Sequence, residues 1–334
     1  MQPPDFWQRS PQAPGLWSRL LAPLAALWAI AGRRRLAQQS GLRLPVPVIC
    51  VGNINLGGTG KTPTVIALAE MLKQRGMNPH VVSRGHGGKL AGPVQVDERS
   101  HRAADVGDEP ILLSSFCPVW VARDRAAGGQ AAVAAGADIV LMDDGFQNPA
   151  LVKDLSIVVV DAVAGFGNGR VFPAGPLRES VAQGLARADA LLVIGPPRAQ
   201  QNFLEADGLP KNLPVLLASL KPLDMGIDWR DHKVFAFAGI GRPEKFFATL
   251  RGLGADVLHC EALSDHQPLT RRLLDRLEAD AFFKGAQLVT TEKDAVRLPE
   301  AFRFKVLTLP VRLHFEDEAP LRAMLDRLAV SPKV

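Results

Sequence analysis

The sequence predicts an α/β protein with mostly parallel sheets, divided into two domains that follow an N-terminal helix. From residue 46 onward, short apolar runs rich in Val and Ile alternate with helix-like stretches. Strands that are apolar on both faces and are linked by helical crossovers are typical of a parallel sheet. The chain has 334 residues, which is more than one compact core usually holds, so two domains are expected.

The first segment, residues 1–40, contains an apolar helix with a basic end. Apolar side chains recur at helical spacing through residues 16–31, and three arginines follow at 33–35. The apolar run is shorter than the ~20 residues that span a bilayer, and Arg19 and Pro23 interrupt it. Two placements remain open. Either the helix lies in the membrane interface with its arginines on anionic lipid, or it packs on the protein's own core.

The formal net charge of +5 is concentrated near the N-terminus. Residues 1–40 contain five arginines and one aspartate, so they carry four of the five excess positive charges. The remaining sequence is nearly balanced, which gives no case for nucleic-acid binding. Cys50, Cys117 and Cys260 show no paired spacing and are predicted to be reduced thiols.

The strongest motif is a glycine-rich loop, Gly52–Thr64, which leaves a predicted strand and opens a predicted helix. Its glycines allow backbone N–H groups to converge on phosphate oxygens, and the helix N-terminus adds partial positive charge. Lys61 can reach the β- and γ-phosphates of a nucleotide, and the Thr62 hydroxyl can bind Mg²⁺. The strict pattern has Gly where Asn55 stands. The predicted nucleotide-binding residues are Asn55, Leu56, Gly57, Gly58, Thr59, Gly60, Lys61 and Thr62.

Acidic residues supply candidates for the rest of the chemistry. The apolar strand that starts after Asp138 ends in Asp143 and Asp144, and a carboxylate in that position holds Mg²⁺ in P-loop enzymes. The choice between the two stays open. Asp108 is a candidate to orient or deprotonate an acceptor hydroxyl, with a helix N-cap as the alternative. His266 is likewise either catalytic or structural.

The predicted domains are 41–225, a P-loop domain that includes a linker, and 226–334, a smaller α/β domain. Residues 196–232 are interpreted as the connection because they hold many Pro, Asn and Asp. Two motifs in the second domain are set aside. Thr291–Asp294 is out of register with the guanine-reading motif of GTPases, and Gly239–Glu244 lacks the third glycine of a dinucleotide loop.

Eight segments occur in a characteristic order: Gly52–Pro63, Ser83–Gly88, Val106–Pro110, Leu141–Gln147, Phe166–Glu179, Phe237–Phe247, Ser264–Pro268 and Thr290–Pro299. Together they resemble the tetraacyldisaccharide 4′-kinase family of lipid A assembly, over nearly the whole chain. The resemblance implies two P-loop-like α/β/α domains joined by a linker. It also implies transfer of the γ-phosphoryl of ATP to the 4′-hydroxyl of a tetraacylated glucosamine disaccharide 1-phosphate, which would give lipid IVA.

The resemblance also implies roles for individual residues. Asp108 is matched to the family's catalytic base and His266 to its partner across a cleft, while Asp143 and Asp144 match an acidic pair near Mg²⁺. Arg178 and Glu179 are placed near the substrate. The full set that the resemblance places in the active site is Lys61, Asp108, Asp143, Asp144, Arg178, Glu179 and His266. The expected location is the cytoplasmic face of the bacterial inner membrane, with the first helix on its anionic surface as a peripheral or monotopic anchor.

Two other functions are compatible with a GGTGKT loop. A P-loop ATPase switch acting on a partner protein is the main alternative, although Leu56 stands where such switches carry a signature lysine. A soluble small-molecule kinase or ligase, with the first helix packed internally, is the second.

Overall fold

A computed structural model describes residues 4–37, 41–206, 208–265 and 267–330, without the side chains of residues 329 and 330. Within these residues, nine strands form one large sheet and four strands form a second sheet. We call the large sheet with its helices the first unit, and the four-stranded sheet with its helices the second unit. The predicted α/β class with mostly parallel sheets is confirmed.

The strands follow the apolar runs of the sequence closely. They are β1 (Val48–Gly52), β2 (Pro79–Ser83), β3 (Val94–Gln95), β4 (Val119–Val121), β5 (Ile139–Asp143), β6 (Leu155–Asp161), β7 (Ala190–Ile194), β8 (Val215–Pro222), β9 (Lys233–Ala238), β10 (Asp256–Ala262), β11 (Gln287–Thr291), β12 (Val306–Leu309) and β13 (Val311–Phe315).

The helices fill the crossovers between strands. They are α1 (Leu16–Leu20), α2 (Ala22–Ala37), α3 (Lys61–Gln74), α4 (Ala103–Val106), α5 (Asp108–Ser114), α6 (Arg125–Ala134), α7 (Val181–Leu185), α8 (Pro197–Glu205), α9 (Pro243–Gly252), α10 (Arg271–Phe283), α11 (Glu292–Ala295), α12 (Glu300–Arg303) and α13 (Ala319–Val330). A 3₁₀ turn, Asp5–Gln8, precedes them.

The large sheet has the order β13-β8-β7-β6-β1-β5-β2-β4-β3. Only its two edge pairings, β13 with β8 and β3 with β4, are antiparallel. The second sheet has the order β10-β9-β11-β12 and is parallel throughout. In a parallel sheet all carboxyl ends lie at one edge, where ligands of α/β proteins bind. The central position of β1 therefore puts the glycine-rich loop in the middle of that edge.

Successive residues of each buried strand face opposite sides of the sheet, and both sides are covered. Ile49 and Val51 of β1 pack in one core with α3 and α13, whereas Val48 and Cys50 pack in another on the opposite face. The second unit has two cores as well, which are built around α9 and α10. This double coverage explains why the strands read as continuous apolar runs.

The predicted connection at residues 196–232 is wrong over two stretches. Residues 197–205 form α8, and residues 215–222 form β8 inside the large sheet. Pro residues were one reason for predicting a connection, but Pro197 occupies the first turn of α8, where a missing N–H costs little.

The chain passes between the two units twice rather than once. β13 returns to the large sheet beside β8, with Val311 opposite Pro222, and α13 packs in the core that α3 lines. The second unit is therefore inserted between β8 and β13. The predicted domain 226–334 differs from this arrangement, because residues 311–330 lie with the first unit.

The N-terminal helix is divided into α1 and α2 near Pro23. It docks on the first unit through polar groups and through the Trp28 ring, whose centre lies 5.0 Å from that of Phe172. The Ser18 hydroxyl donates to the Ala174 carbonyl at 2.7 Å, and Asn168 Nδ2 donates to Ser18 Oγ at 3.2 Å. The apolar stripe points away from the protein. Side chains that are at least half exposed are Leu16, Trp17, Leu20, Leu24, Leu27 and Trp28. In the described part of the chain, no helix is both long and apolar enough to cross a bilayer.

Candidate active site

The glycine-rich loop connects β1 to α3 at the carboxyl edge of the large sheet. Gly57 and Gly60 have positive φ angles of 112° and 100°, which residues with a Cβ rarely adopt. Asn53 fixes the loop, because its Nδ2 donates to the Gly57 carbonyl and to Thr59 Oγ1, both at 3.2 Å. Lys61 is the first residue of α3 and directly follows the loop.

Asn55 and Leu56 are held by the segment 165–178 on the outside of the loop. Asn55 Nδ2 donates to the Gly165 carbonyl at 2.9 Å, and the Leu56 amide donates to the Pro176 carbonyl at 2.6 Å. The Asn55 side chain is buried. It supports the loop through a hydrogen bond that the glycine of the strict pattern could not make.

Asp143 ends β5 directly beside the P-loop strand, with Val51 as its partner in the sheet. Its carboxylate is 1% exposed. Oδ2 accepts a hydrogen bond from Ser83 Oγ at 3.0 Å, and Oδ1 has no hydrogen-bond partner among the described residues. Burial, together with the negative charges of Glu109 and Asp144, raises the pKa of Asp143 to about 7. A buried oxygen of this kind favours a bound cation.

Asp144 links the P-loop lysine to Arg178. Arg178 donates from both terminal nitrogens to the two Asp144 oxygens, at 2.9 and 3.1 Å, and Lys61 Nζ lies 3.7 Å from Oδ1. Burial acts to raise the pKa of Asp144, but the charges of Lys61 and Arg178 outweigh burial, and the pKa is lowered. Asp144 has a positive φ of 49°, which is uncommon for a residue other than glycine.

Glu179, predicted near a substrate, is engaged by protein groups. Arg187 Nη2 lies 2.6 and 2.5 Å from its two carboxylate oxygens, and Gln147 Nε2 donates to Oε1 at 3.0 Å. The Arg187 guanidinium also lies 4.3 Å from the centre of the Phe146 ring. Gln147 in turn accepts from Arg178 Nη1 at 3.1 Å. Glu179 therefore supports Arg178 through Gln147.

Asp108 is the first residue of α5 and is almost fully buried. Its Oδ1 accepts from the Glu109 amide at 3.0 Å, and its Oδ2 lies 3.9 Å from Arg297 Nε in the second unit. The N-cap of α5 is Gly107, so Asp108 does not have the alternative N-cap role. His266 lies outside the described residues, and its pairing with Asp108 stays a prediction.

Further ionic contacts join the units across the cleft. Lys293 Nζ lies 3.1 Å from Glu109 Oε1, and the Asp161 carboxylate binds Arg242, at 3.3 Å, and Lys245. A Cβ added at Gly241 would come within 3.8 Å of the Gly58 amide nitrogen. The second unit therefore covers the glycine-rich loop.

Sequence reasoning assigned no role to these cross-cleft residues. Lys293 and Arg297 belong to a segment that was quoted for the family resemblance and set aside as a nucleotide motif. Arg242 and Lys245 belong to another such segment. The available signal in the sequence was that these residues are cations and that the predicted active site contains carboxylates. The sequence does not show which carboxylate each cation meets, because only the fold brings Lys293 to Glu109, which is 184 positions away.

Comparisons with known proteins agree on one family. The family model described as tetraacyldisaccharide-1-P 4′-kinase (LpxK) matches residues 17–329. A tetraacyldisaccharide 4′-kinase of Dinoroseobacter shibae is 60% identical over 98% of both chains. One of Jannaschia sp. is 56% identical over 98% of this chain and 99% of the relative.

A solved structure shares the fold along nearly the whole chain. The crystal structure of LpxK from Aquifex aeolicus, described as an "apo" form in complex with ATP, superposes with a TM-score of 0.75 at 26% identity. The match covers 94% of this chain and 99% of that one. With a family model that spans 17–329 and relatives above half identity, the chain belongs to the tetraacyldisaccharide-1-P 4′-kinase family.

Proposed function

We propose that this protein transfers the γ-phosphoryl group of ATP to the 4′-hydroxyl of a tetraacylated glucosamine disaccharide 1-phosphate, which yields lipid IVA. The observation that carries the proposal is the arrangement at the cleft. A glycine-rich loop with Lys61 lies beside two carboxylates, Asp143 and Asp144, and a third carboxylate, that of Asp108, is buried at the start of α5. Phosphoryl transfer requires such alignment and charge neutralisation more than covalent chemistry.

The glycine-rich loop would hold the nucleotide. The amides of residues 57–60 and the N-terminus of α3 suit the phosphate oxygens, and Lys61 reaches the β- and γ-phosphates. Asp144 holds Lys61 on the cleft side of the loop, and Arg178 fixes Asp144 by its bidentate contact. Support also comes from the ATP complex of the Aquifex relative.

Mg²⁺ fits the residues next to the loop. Asp143 offers an oxygen that has no partner among the described groups, and Thr62 offers a hydroxyl from the first turn of α3. The described chain has no group of three His, Cys, Asp or Glu side chains suited to a metal. Mg²⁺ is usually held by one or two carboxylates plus substrate phosphates. When bound, the ion supplies charge neutralisation between the phosphates. We assign Asp143 to the ion and Asp144 to Lys61.

Asp108 would take or orient the proton of the acceptor hydroxyl, with His266 as its partner from the second unit. Asp108 is the first residue of α5. The charge of the next residue, Glu109, contributes to the raised pKa of Asp143. The start of α5 and the end of β5 therefore face the same space. A base placed there would act on a hydroxyl next to the γ-phosphate.

The exposed stripe of α1 and α2 would hold the enzyme on its lipid substrate. Leaving an acyl chain in water costs ~0.8 kcal/mol per CH₂, so the enzyme must meet this acceptor at a membrane. Leu20, Leu24 and Leu27 point outward, and the arginines at 33–35 suit an anionic surface. We place the protein at the cytoplasmic face of the bacterial inner membrane.

The test is transfer of label from γ-labelled ATP, with Mg²⁺, to detergent-dispersed tetraacyldisaccharide 1-phosphate. Lys61→Ala and Asp108→Ala variants are assayed beside the wild type. Labelled lipid from the wild type, strongly reduced in both variants, is expected. ATP hydrolysis without labelled lipid in a folded protein would overturn the proposal and favour an ATPase switch.

A further inference from the structure

The contact between α5 and the turn that carries α11 is the place where the second unit reaches the proposed base. Lys293 and Arg297 are one helical turn apart and face Glu109 and Asp108 respectively, at 3.1 and 3.9 Å. The four side chains are mostly buried, with exposed fractions between 4% and 28%. Two neighbouring carboxylates of one unit thus face two cations of the other.

The cationic side of this contact is built rigidly. Arg297 binds Asp294, donates to the Gln267 carbonyl at 2.9 Å and donates to the Gly239 carbonyl at 3.3 Å. Asp294 is fully buried and accepts from the Gly239 amide and from Thr291 Oγ1. The turn that holds Lys293 is therefore fixed to the second sheet.

A second anchor ties the same turn back to the first unit. Glu292 accepts from Arg312 Nη1 at 3.0 and 2.8 Å, and Arg312 belongs to β13 of the large sheet. The position of Lys293 therefore depends on how the two units are oriented. Burial lowers the pKa of Lys293, but the carboxylates of Glu109 and Asp108 outweigh burial and raise it, so the ammonium group stays charged in the closed cleft.

We propose that Lys293 is a positioning residue which, through Glu109, fixes the first turn of α5 so that Asp108 is aligned with the acceptor hydroxyl only when the second unit covers the P-loop. The inference rests on the proposed function. Phosphoryl transfer would then depend on closure of the cleft between the units, because the same unit that brings Lys293 to Glu109 also brings Gly241 over Gly58.

The experiment measures label transfer to the lipid by the full chain carrying Lys293→Gln, Glu109→Gln, both changes together, or Lys293→Arg. Each neutral single variant should lower kcat about 10–100-fold, the range of a buried charged hydrogen bond, with KM for ATP within about twofold. The double variant should be no slower than the slower single one, because both remove the same contact. Lys293→Arg should recover most of the rate. Lys284→Gln, at an exposed lysine of the same unit, is the matched control.

A general structural role predicts a different outcome. It would lower the melting temperature and the fraction of folded enzyme, while the effects of the two single changes on kcat would multiply in the double variant. Multiplicative effects, or a Lys293→Gln rate equal to that of Lys284→Gln, would overturn the inference. If Lys293→Gln does not fold, a normal kcat in Glu109→Gln overturns it equally. A wild type that moves no label to the lipid instead overturns the proposed function itself.

Discussion

Arg178 donates from both terminal nitrogens to the Asp144 carboxylate, and Oδ1 of the same carboxylate lies 3.7 Å from Nζ of Lys61 in the P-loop. The Asp144 carboxylate is thus shared between Arg178, which fixes its position, and Lys61, which we propose binds phosphate. We expect Lys61 to exchange Asp144 for phosphate oxygens when the nucleotide binds.

Arg178→Lys should therefore impair the enzyme although it keeps the charge. A lysine ammonium cannot form the bidentate contact with Asp144. The expected loss in kcat/KM for ATP is about 10–100-fold, which corresponds to the ~1.5–3 kcal/mol of a charged hydrogen bond. Steady-state kinetics test this, with Arg198→Lys at an exposed position of α8 as the control. Equal kinetics for both variants would refute the role of Arg178.

Asp143→Asn should change the pH dependence of stability in the nucleotide-free protein. The pKa of Asp143 is about 7 in the folded protein, whereas an aspartate of an unfolded chain titrates near ~3.9. Between about pH 4 and 7 the folded state keeps a proton that the unfolded state releases. The free energy of unfolding therefore falls as pH rises through this window, by at most about 1.4 kcal/mol per pH unit.

Asparagine at this position has no proton to lose, so the variant should be more stable than the wild type at pH 7–8 and equally stable near pH 4. Denaturant titrations at four pH values, without Mg²⁺ or ATP, measure this difference. The same variant should lose about 100-fold or more in kcat, because the charge that holds the ion is gone. Parallel pH profiles of stability for the two proteins would contradict the assignment.

Asn55→Gly brings the loop to the strict P-loop pattern, and we expect it to be harmful. It removes the hydrogen bond to the Gly165 carbonyl and adds backbone freedom to the unfolded state. The free energy of unfolding should fall by about 1–2 kcal/mol, and KM for ATP should rise. Asn212→Gly, in an exposed turn, controls for the glycine effect. A variant at least as stable as the wild type would show that Asn55 is not a support.

Replacing Trp17, Leu20, Leu24 and Leu27 with Gln should abolish binding to vesicles without unfolding the protein. All four side chains are more than half exposed, so little apolar contact inside the protein is lost. Co-sedimentation with vesicles that contain anionic lipid tests this, and binding by the wild type should weaken with salt. A large drop in melting temperature with unchanged vesicle binding would favour packing on the protein's own core instead.

The sequence was sufficient for the family, the α/β class and most elements, because each buried strand is a short apolar run between turn signals. The strand predicted to end at Asp143, for example, is β5, and the helix predicted to follow the glycine-rich loop is α3. The family assignment is confirmed, and with it the kinase is favoured over the ATPase switch. The membrane association of the first helix and the individual site roles stay predictions.

The rest depended on pairings over long sequence distances. β8 was assigned to the connection because its apolar run, residues 215–220, is brief and lies in a region with many Pro, Asn and Asp residues. β13 is amphipathic and short, and only its pairing with β8 identifies it. The contact of Lys293 with Glu109 likewise exists only when the second sheet is in place.

The insertion of the second unit fixes the order in which the protein can be completed during synthesis. α13 contributes Leu321 and Leu325 to the core that also contains Leu68 and Leu72 of α3. The ribosome makes the whole four-stranded sheet before α13, so the apolar face beneath the P-loop stays uncovered until the inserted unit has emerged. We expect chains that stop before Ala319 to be unstable in the P-loop unit itself. Truncated chains from interrupted synthesis would then not persist in the cell as folded fragments that bind nucleotide.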